Sequence, residues 1–382
     1  MTAQRLASVK EYYFSIKFRE MANSVQTGNP IINMGIGSPD LSPHPKVIEA
    51  LTQGMSHPKA HMYQSYQGLP ELRNAIAHFY QQFYKVSLNP KEEILPLMGS
   101  KEGIMHISMA FLNKGDQVLL PNPGYPTYRS VTQLLEAEPI EYDLKAENNW
   151  QPDFDALEAM NTTKVKLMWI NYPHMPTGAV AQKETFERLI RWARERDILL
   201  INDNPYSFIL NNQPESILSI PGAKEVALEL NSLSKAFNMA GWRIGMLSGK
   251  AATLKAVLKV KSNMDSGMFY GIQQGAIAAL QAQESWFEKL NDIYRQRRKL
   301  IFELASLLNT DFDAHNSGLF VWAKMRDTSK SSVEYIEEIL QNHHIFIAPG
   351  SIFGSQGEGY IRFSLCVEEL QISKALERIR KA

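Results

Sequence analysis

Through the middle of the chain, short apolar, β-rich runs alternate with amphipathic stretches, and no other feature limits the fold as tightly. The runs cover 117–120, 166–170, 198–201, 226–230 and 244–247. Between most of them, over 71–84, 103–112, 183–196 and 251–261, apolar residues recur at three and four positions, the spacing of one helix face. Strands that are apolar along their length need cover on both faces, and helices between successive strands supply it while leaving those strands parallel. The expected fold class is therefore α/β, a large domain with a mostly parallel sheet flanked by helices. Ligands of such a sheet collect where strands end and loops begin. Beyond about Gly271 the pattern changes to long helices, clearest over 284–308, then short strands around Phe320, Ile345 and Tyr360 and a closing helix from Glu368. That reads as a smaller α+β domain. The first forty-odd residues are expected to join it, because the Pro-rich stretch 38–45 looks like a connector. The implied boundaries are 1–45 for the N-terminal part of the small domain and a lid, 46–284 for the large domain and 285–382 for the C-terminal part.

Composition narrows the function classes. Forty basic and forty acidic residues cancel, which gives no electrostatic reason for a nucleic acid or an anionic membrane as partner and favours small-molecule chemistry. Cys366 is the only cysteine, so no internal disulfide forms, and a reducing, cytoplasmic location is expected. The first residues hold no apolar core before charges intervene, so no signal peptide is expected. No apolar run reaches the length of a membrane span.

The chemistry concentrates in Asn231-Ser-Leu-Ser-Lys-Ala-Phe-Asn-Met-Ala-Gly-Trp-Arg-Ile-Gly245. A lysine amine can form a Schiff base with an aldehyde, and here Lys235 has Ser232 three residues before it and Arg243 eight after it. The serine hydroxyl and the planar guanidinium fork suit phosphate oxygens. Together they outline a site for pyridoxal 5'-phosphate. With Ser-x-Ser-Lys followed by Gly-x-Arg-x-Gly, the chain resembles the class I (fold type I) pyridoxal-phosphate aminotransferases, and within them the subgroup of aspartate, alanine, methionine and LL-diaminopimelate aminotransferases.

Other stations of that family follow in order. Leu97-Met-Gly-Ser-Lys-Glu-Gly103 precedes a helical pattern, so its amides form a natural cradle for phosphate; the resemblance assigns Ser100 and the amide of Lys101 to it. In Pro123-Gly-Tyr-Pro-Thr-Tyr128 the resemblance places Tyr125 against the cofactor ring, and Tyr128 is left as packing. Ile201-Asn-Asp-Asn-Pro-Tyr206 ends an apolar strand with a carboxylate. Asp203 there would pair with the pyridine nitrogen, and Tyr206 would reach the ring's phenolic oxygen. Trp169-Ile-Asn-Tyr-Pro-His-Met-Pro-Thr-Gly178 departs from the family pattern, since Met175 stands where an asparagine is usual. A thioether cannot donate to the phenolic oxygen. Either Tyr206 carries that task alone or His174 or Asn171 reaches in, and the lysine–cofactor link is expected to hold its proton to higher pH.

Tyr63-Gln-Ser-Tyr-Gln-Gly-Leu-Pro-Glu-Leu-Arg73 matches a motif whose tyrosine reaches the phosphate in a neighbouring subunit, which implies a homodimer. Asn33-Met-Gly-Ile-Gly-Ser-Pro-Asp40 lacks the third glycine of a dinucleotide fingerprint, and Pro39 blocks a following helix. The resemblance instead gives the amide of Gly37 to the substrate carboxylate. Arg362, in the apolar run 359–364, would hold that carboxylate bidentately. Lys261 is expected to be a solvated helix-end lysine rather than a side-chain-binding cation. Tyr12, Tyr13 and Phe14 are either a lid over an apolar substrate or ordinary packing. The implied reaction moves an amino group from an L-amino acid to a 2-oxo acid, with glutamate and 2-oxoglutarate as one pair. A C–S lyase or decarboxylase using the same cofactor is the alternative.

Overall fold

The computed structural model describes residues 2–24 and 30–381. Its centre is a seven-stranded sheet in the order Ile94–Leu97, Gly245–Gly249, Ala227–Ser232, Leu199–Asp203, Val165–Ile170, Gln117–Asn122 and Glu138–Asp143. Only Gly245–Gly249 runs against its neighbours, so the sheet is mostly parallel, as the alternating pattern predicts. Helices cover it, among them Ser100–Phe111, Lys183–Glu195 and Ala251–Lys261. Lys183–Glu195 shows why the pattern was legible: Phe186, Leu189, Ile190 and Ala193 are buried along one stripe while its charges face water.

Both strands that the apolar-run reading overlooked are edge strands. Ile94–Leu97 contains Pro96, which has no N–H for a ladder and is tolerated where one side of the strand is free. Glu138–Asp143 is rich in acids, a common way to blunt an exposed edge. The helix expected over 71–84 also differs. Its α-helical part is Pro70–Phe79, followed by a π turn at Tyr80–Tyr84 that ends on Lys85 with φ 57°. There Phe79, Phe83 and Tyr84 all pack against Phe208, and the aromatic cluster outweighs regular helical spacing.

A second, antiparallel sheet runs Ala348–Pro349, Tyr360–Ser364, Phe320–Met325 and Thr310–Phe312. The long helix Glu284–Leu307 and the closing helix Glu369–Arg380 pack together beside it. The N-terminal strand Ile32–Asn33 pairs in parallel with Ile345–Phe346. Arg297 on the long helix is buried and grips Asp40 with both Nη atoms, at 2.7 and 2.8 Å, so the N-terminal connector is tied to the C-terminal part by a bidentate ion pair. Among the described residues, no helix is long and apolar enough to cross a membrane.

Candidate active site

Sheet polarity assembles the site. The strands Gln117–Asn122, Val165–Ile170, Leu199–Asp203 and Ala227–Ser232 run parallel and deliver their following residues to one edge. Ile94–Leu97 points the same way, because it and Ala227–Ser232 both pair antiparallel with Gly245–Gly249. Gly245 faces Leu97 on one side and Ser232 on the other. Arg243, just before that reversed strand, therefore arrives at the edge where Ser100 and Ser232 arrive from the ends of theirs. A Cβ on Gly245 would meet the Ser100 nitrogen at 2.7 Å, so glycine is what permits this approach. On the facing turn, Gly99 has φ +92°, and a Cβ there would strike Arg243 Nη2 at 2.2 Å.

The result is one cavity of about 360 Å³. Its lining includes Gly37, Ser100, Lys101, Tyr125, Met175, Asp203, Tyr206, Ser232, Lys235, Arg243 and Arg362, which is every site residue expected from the sequence except Tyr63. Tyr63 is 91% exposed and does not line the cavity of its own chain.

At one end lies an anion cradle. Ser100 opens the helix Ser100–Phe111, whose first amides are free of helical partners. Ser232 Oγ sits 2.8 Å from Ser234 Oγ, and the Arg243 guanidinium closes the other side, held by a 2.9 Å bond from Nη1 to the Ala240 carbonyl. Lys101 lies exposed beside it, with Nζ 4.8 Å from the centre of the Tyr12 ring.

Asp203 is buried at the end of its strand. Tyr128 Oη donates to its Oδ2 at 2.8 Å, while Oδ1 has no partner. Burial pushes this carboxyl up to about 7, against the opposing pull of the Tyr128 hydrogen bond and the Lys235 charge. Tyr128 stacks on Trp169 at 4.9 Å, which fixes its hydroxyl toward the carboxylate. Sequence reading assigned Tyr128 to packing only; nothing in the local sequence signals the contact, since Asp203 lies 75 positions away.

Lys235 Nζ donates to the Gly37 carbonyl at 2.6 Å. Burial lowers the lysine's pKa, and the nearby Arg362 and Arg243 charges add to the shift, raising the share of free amine. Arg362 is also buried and spends one Nη on the Gly35 carbonyl, at 2.6 Å. Its other Nη donates to Met175 Sδ at 3.3 Å, and its Nε has no partner. Among the described residues, no carboxylate lies within ion-pair distance of Arg362. A buried, partly unsatisfied guanidinium without a counter-ion is a strong site for a carboxylate.

The donor set fits pyridoxal phosphate: a cradle for three anionic oxygens, an amine with a lowered pKa, and a buried carboxylate with one oxygen free for a ring N–H. Of the two side chains expected to compensate for Met175, His174 does not line the cavity. Its Nδ1 pairs with Thr177 Oγ1 at 2.8 Å, and burial lowers its pKa to about 3, so the imidazole stays neutral. Asn171 does line the cavity, but its Oδ1 accepts from the Met175 amide at 2.9 Å and its Nδ2 donates to the Asp203 carbonyl. Each end thus has a backbone partner, but Nδ2 keeps a second N–H, so Asn171 and Tyr206 are the two cavity-lining donors left for that oxygen.

Lys261 corrects the sequence reading in a different way. It is buried, not solvated, and both oxygens of Asp265 accept from its Nζ at 2.7 Å, with Glu102 and His106 alongside. Sequence shows only a cation at a helix end. The carboxylate that pairs with it in the interior is four residues on, in the loop that packs against the backbone of Gln64 and Ser65.

The raised Asp203 pKa gives a pH test. The folded form binds this proton more tightly than the unfolded chain, whose value is near 3.8, so the group's contribution to stability falls as pH rises from about 4 to about 7. In cofactor-free protein, Asp203→Asn is therefore expected to melt higher than the parent at pH 8 and to match it near pH 4. Equal melting differences at both pH values would show that Asp203 is not a buried, proton-holding carboxyl.

Comparison with known proteins agrees with this geometry. Residues 29–379 match the family model described as aminotransferase class I and II. An LL-diaminopimelate aminotransferase from Aquifex aeolicus (strain VF5) is 38% identical over 380 residues, covering 99% of this chain and 98% of the relative. The solved structure of apo-BacF from Bacillus subtilis superposes with a TM-score of 0.95 at 35% identity, covering 100% of this chain and 98% of that one. An aromatic aminotransferase from Pyrococcus horikoshii OT3 gives a TM-score of 0.86 at 28% identity, covering 94% of this chain and 98% of that one.

Proposed function

This chain belongs to the class I and II aminotransferase family and is a pyridoxal-phosphate-dependent aminotransferase, and from that premise we propose how its residues divide the work. The lyase or decarboxylase alternative is set aside, because full-length relatives carry aminotransferase names. The observation that carries the proposal is that Lys235, Asp203 and Arg362 line a single cavity.

Pyridoxal phosphate, when bound, supplies an aldehyde for amine exchange and a cationic ring that accepts the electron pair left at the substrate Cα. Ser100, the Lys101 amide, Ser232 and Arg243 hold its phosphate. Tyr125 would cover a ring face and Asp203, held in place by Tyr128, would accept the ring N–H on its free Oδ1. Tyr206 hydrogen-bonds the phenolic oxygen. Arg362 would fix the substrate carboxylate with help from the Gly37 amide and so orient the substrate Cα. Lys235 would anchor the cofactor aldehyde and, as a free amine, its Nζ would take the proton from the substrate Cα. Glutamate and 2-oxoglutarate form one substrate pair, and the names of the sequence relatives add LL-diaminopimelate to the donors to be assayed.

To test this, single amino acids are added to the cofactor-loaded enzyme while its aldehyde absorbance is followed. Loss of that absorbance with a donor, reversed by 2-oxoglutarate, is expected. No change with any amino acid would overturn the proposal.

Three finer readings belong here. The chain acts as a homodimer in which Tyr63 completes the partner's phosphate site. Support comes from the exposed apolar residues Met55, Met62, Tyr63, Tyr66, Met264 and Phe269 on adjoining segments; a monomer in sedimentation would exclude it. Residues 1–45 and 285–382 form the small domain and 46–284 the cofactor domain, a division supported by the pairing of Ile32 with Ile345. The enzyme works in the cytoplasm, in keeping with its single, buried cysteine.

Met175 carries a prediction of its own. Met175→Asn would add a donor to the phenolic oxygen, and a hydrogen bond to a charged acceptor is worth about 1.5–3 kcal/mol, or roughly one to two pKa units. The lysine–cofactor link is expected to lose its proton at correspondingly lower pH. An unchanged absorbance titration would place residue 175 away from that oxygen.

A further inference from the structure

We propose that the amino acid whose amino group this enzyme takes carries a large apolar, preferably aromatic, side chain. The inference rests on the residue roles proposed above and concerns what surrounds the substrate once Arg362 holds its carboxylate.

The walls around that anchor are rings. The Arg362 guanidinium carbon lies 3.9 Å from the ring centre of Phe320, 4.6 Å from that of Phe353 and 5.5 Å from that of Phe14. Tyr12, Phe18 and Ile36 extend the same lining toward the mouth. Phe14 and Phe18 are four residues apart on the helix Tyr13–Ser24 and so share one face, which this helix turns to the cavity. Phe18 remains 44% exposed while lining the cavity, so an apolar edge stands at the mouth for a substrate to cover.

The charges point the same way. Among the described residues, five charged side chains line the cavity: Lys101, Asp203, Lys235, Arg243 and Arg362. Four have tasks with the cofactor or the substrate carboxylate. Asp203 is the only carboxylate among them and is engaged by Tyr128, so a distal ammonium on the substrate would find no acid. Lys101 is the one cation left for a distal carboxylate, and it sits over the Tyr12 ring on the cradle turn. A diamino dicarboxylic acid would thus bring a charge into an aromatic wall unpaired, at a desolvation cost that an aromatic ring avoids. Lys101 suffices for the distal carboxylate of 2-oxoglutarate in the return half-reaction.

The test compares kcat/KM for the single half-reaction with phenylalanine, tyrosine, alanine, aspartate, glutamate and LL-diaminopimelate, read from the cofactor absorbance. Phenylalanine and tyrosine are expected to exceed alanine by about 30-fold or more, the gain for burying such a ring, and to exceed LL-diaminopimelate and aspartate. Phe18→Ser, at a half-open position that does not threaten folding, is expected to narrow the gap between phenylalanine and alanine by about 10-fold. Faster conversion with LL-diaminopimelate or aspartate than with phenylalanine would overturn the inference and leave the aminotransferase intact. An unchanged gap in Phe18→Ser would remove Phe18 from the substrate wall and overturn the inference as argued here. No conversion with any amino acid would overturn the underlying residue roles as well.

Discussion

Lys235→Ala is expected to abolish amino transfer, lowering kcat by on the order of 10⁴-fold or more, because one amine performs two tasks. In the proposed mechanism it would be both the covalent anchor for the cofactor aldehyde and the base that carries the substrate Cα proton. Among the described residues, the cavity offers no substitute. Lys101, the other lysine lining the cavity, stands at the phosphate end over Tyr12. The lowered pKa of Lys235 is a further loss, since burial and two arginine charges raise its share of free amine above that of an ordinary lysine. The variant should still retain the cofactor through the Ser100, Ser232 and Arg243 cradle. Two measurements decide: the single-turnover rate with the best donor, and the cofactor retained after gel filtration. A variant that keeps a hundredth of the parental rate would show that another group moves the proton.

Arg362→Leu is expected to separate activity from stability. Truncating one partner of a buried charge pair costs about 2–5 kcal/mol, so kcat/KM for amino-acid donors should fall roughly 30- to 5,000-fold. The free protein should behave in the opposite sense. Burial pulls the Arg362 pKa down to about 10 from 12.5, the mark of a cation whose charged form is penalised by folding. For a base with a depressed folded pKa the penalty is present throughout the range below about pH 10, so it applies in full at neutral pH. Replacing the side chain with leucine among Phe14, Phe320 and Phe353 removes it, and the variant is expected to melt no lower than the parent in the absence of substrate. Arg362→Lys keeps a charge but loses the planar fork, and should remain well below the parental kcat/KM. Thermal melts together with steady-state kinetics on both variants check the argument. A strongly destabilised Arg362→Leu would mean that the guanidinium is structural, through its bond to the Gly35 carbonyl, rather than held ready for a ligand.

The sequence by itself determined what depends on neighbours along the chain. Short continuous apolar runs announce buried strands and period-3.6 patterns announce helices because both are set within a few residues, and the central strands were legible for that reason. Lys235 among its serines, Asp203 at a strand end and Arg362 in an apolar strand were also visible, because together and in order they reproduce the motifs of the family the chain resembles. Edge strands escaped because Pro96 and the acids of Glu138–Asp143 obey the demands of a free edge rather than those of a core. Only the tertiary structure decided the rest. The strand order put Tyr128 on Asp203, the single reversed strand brought Arg243 to the cradle, and the N-terminal helix set Phe14 and Phe18 in the cavity wall. Lys261 was likewise read as solvated until packing placed it beside Asp265 in the interior. These contacts have no local signature, because whether a tyrosine, lysine or phenylalanine packs, pairs or lines a site is set by what the fold places opposite it.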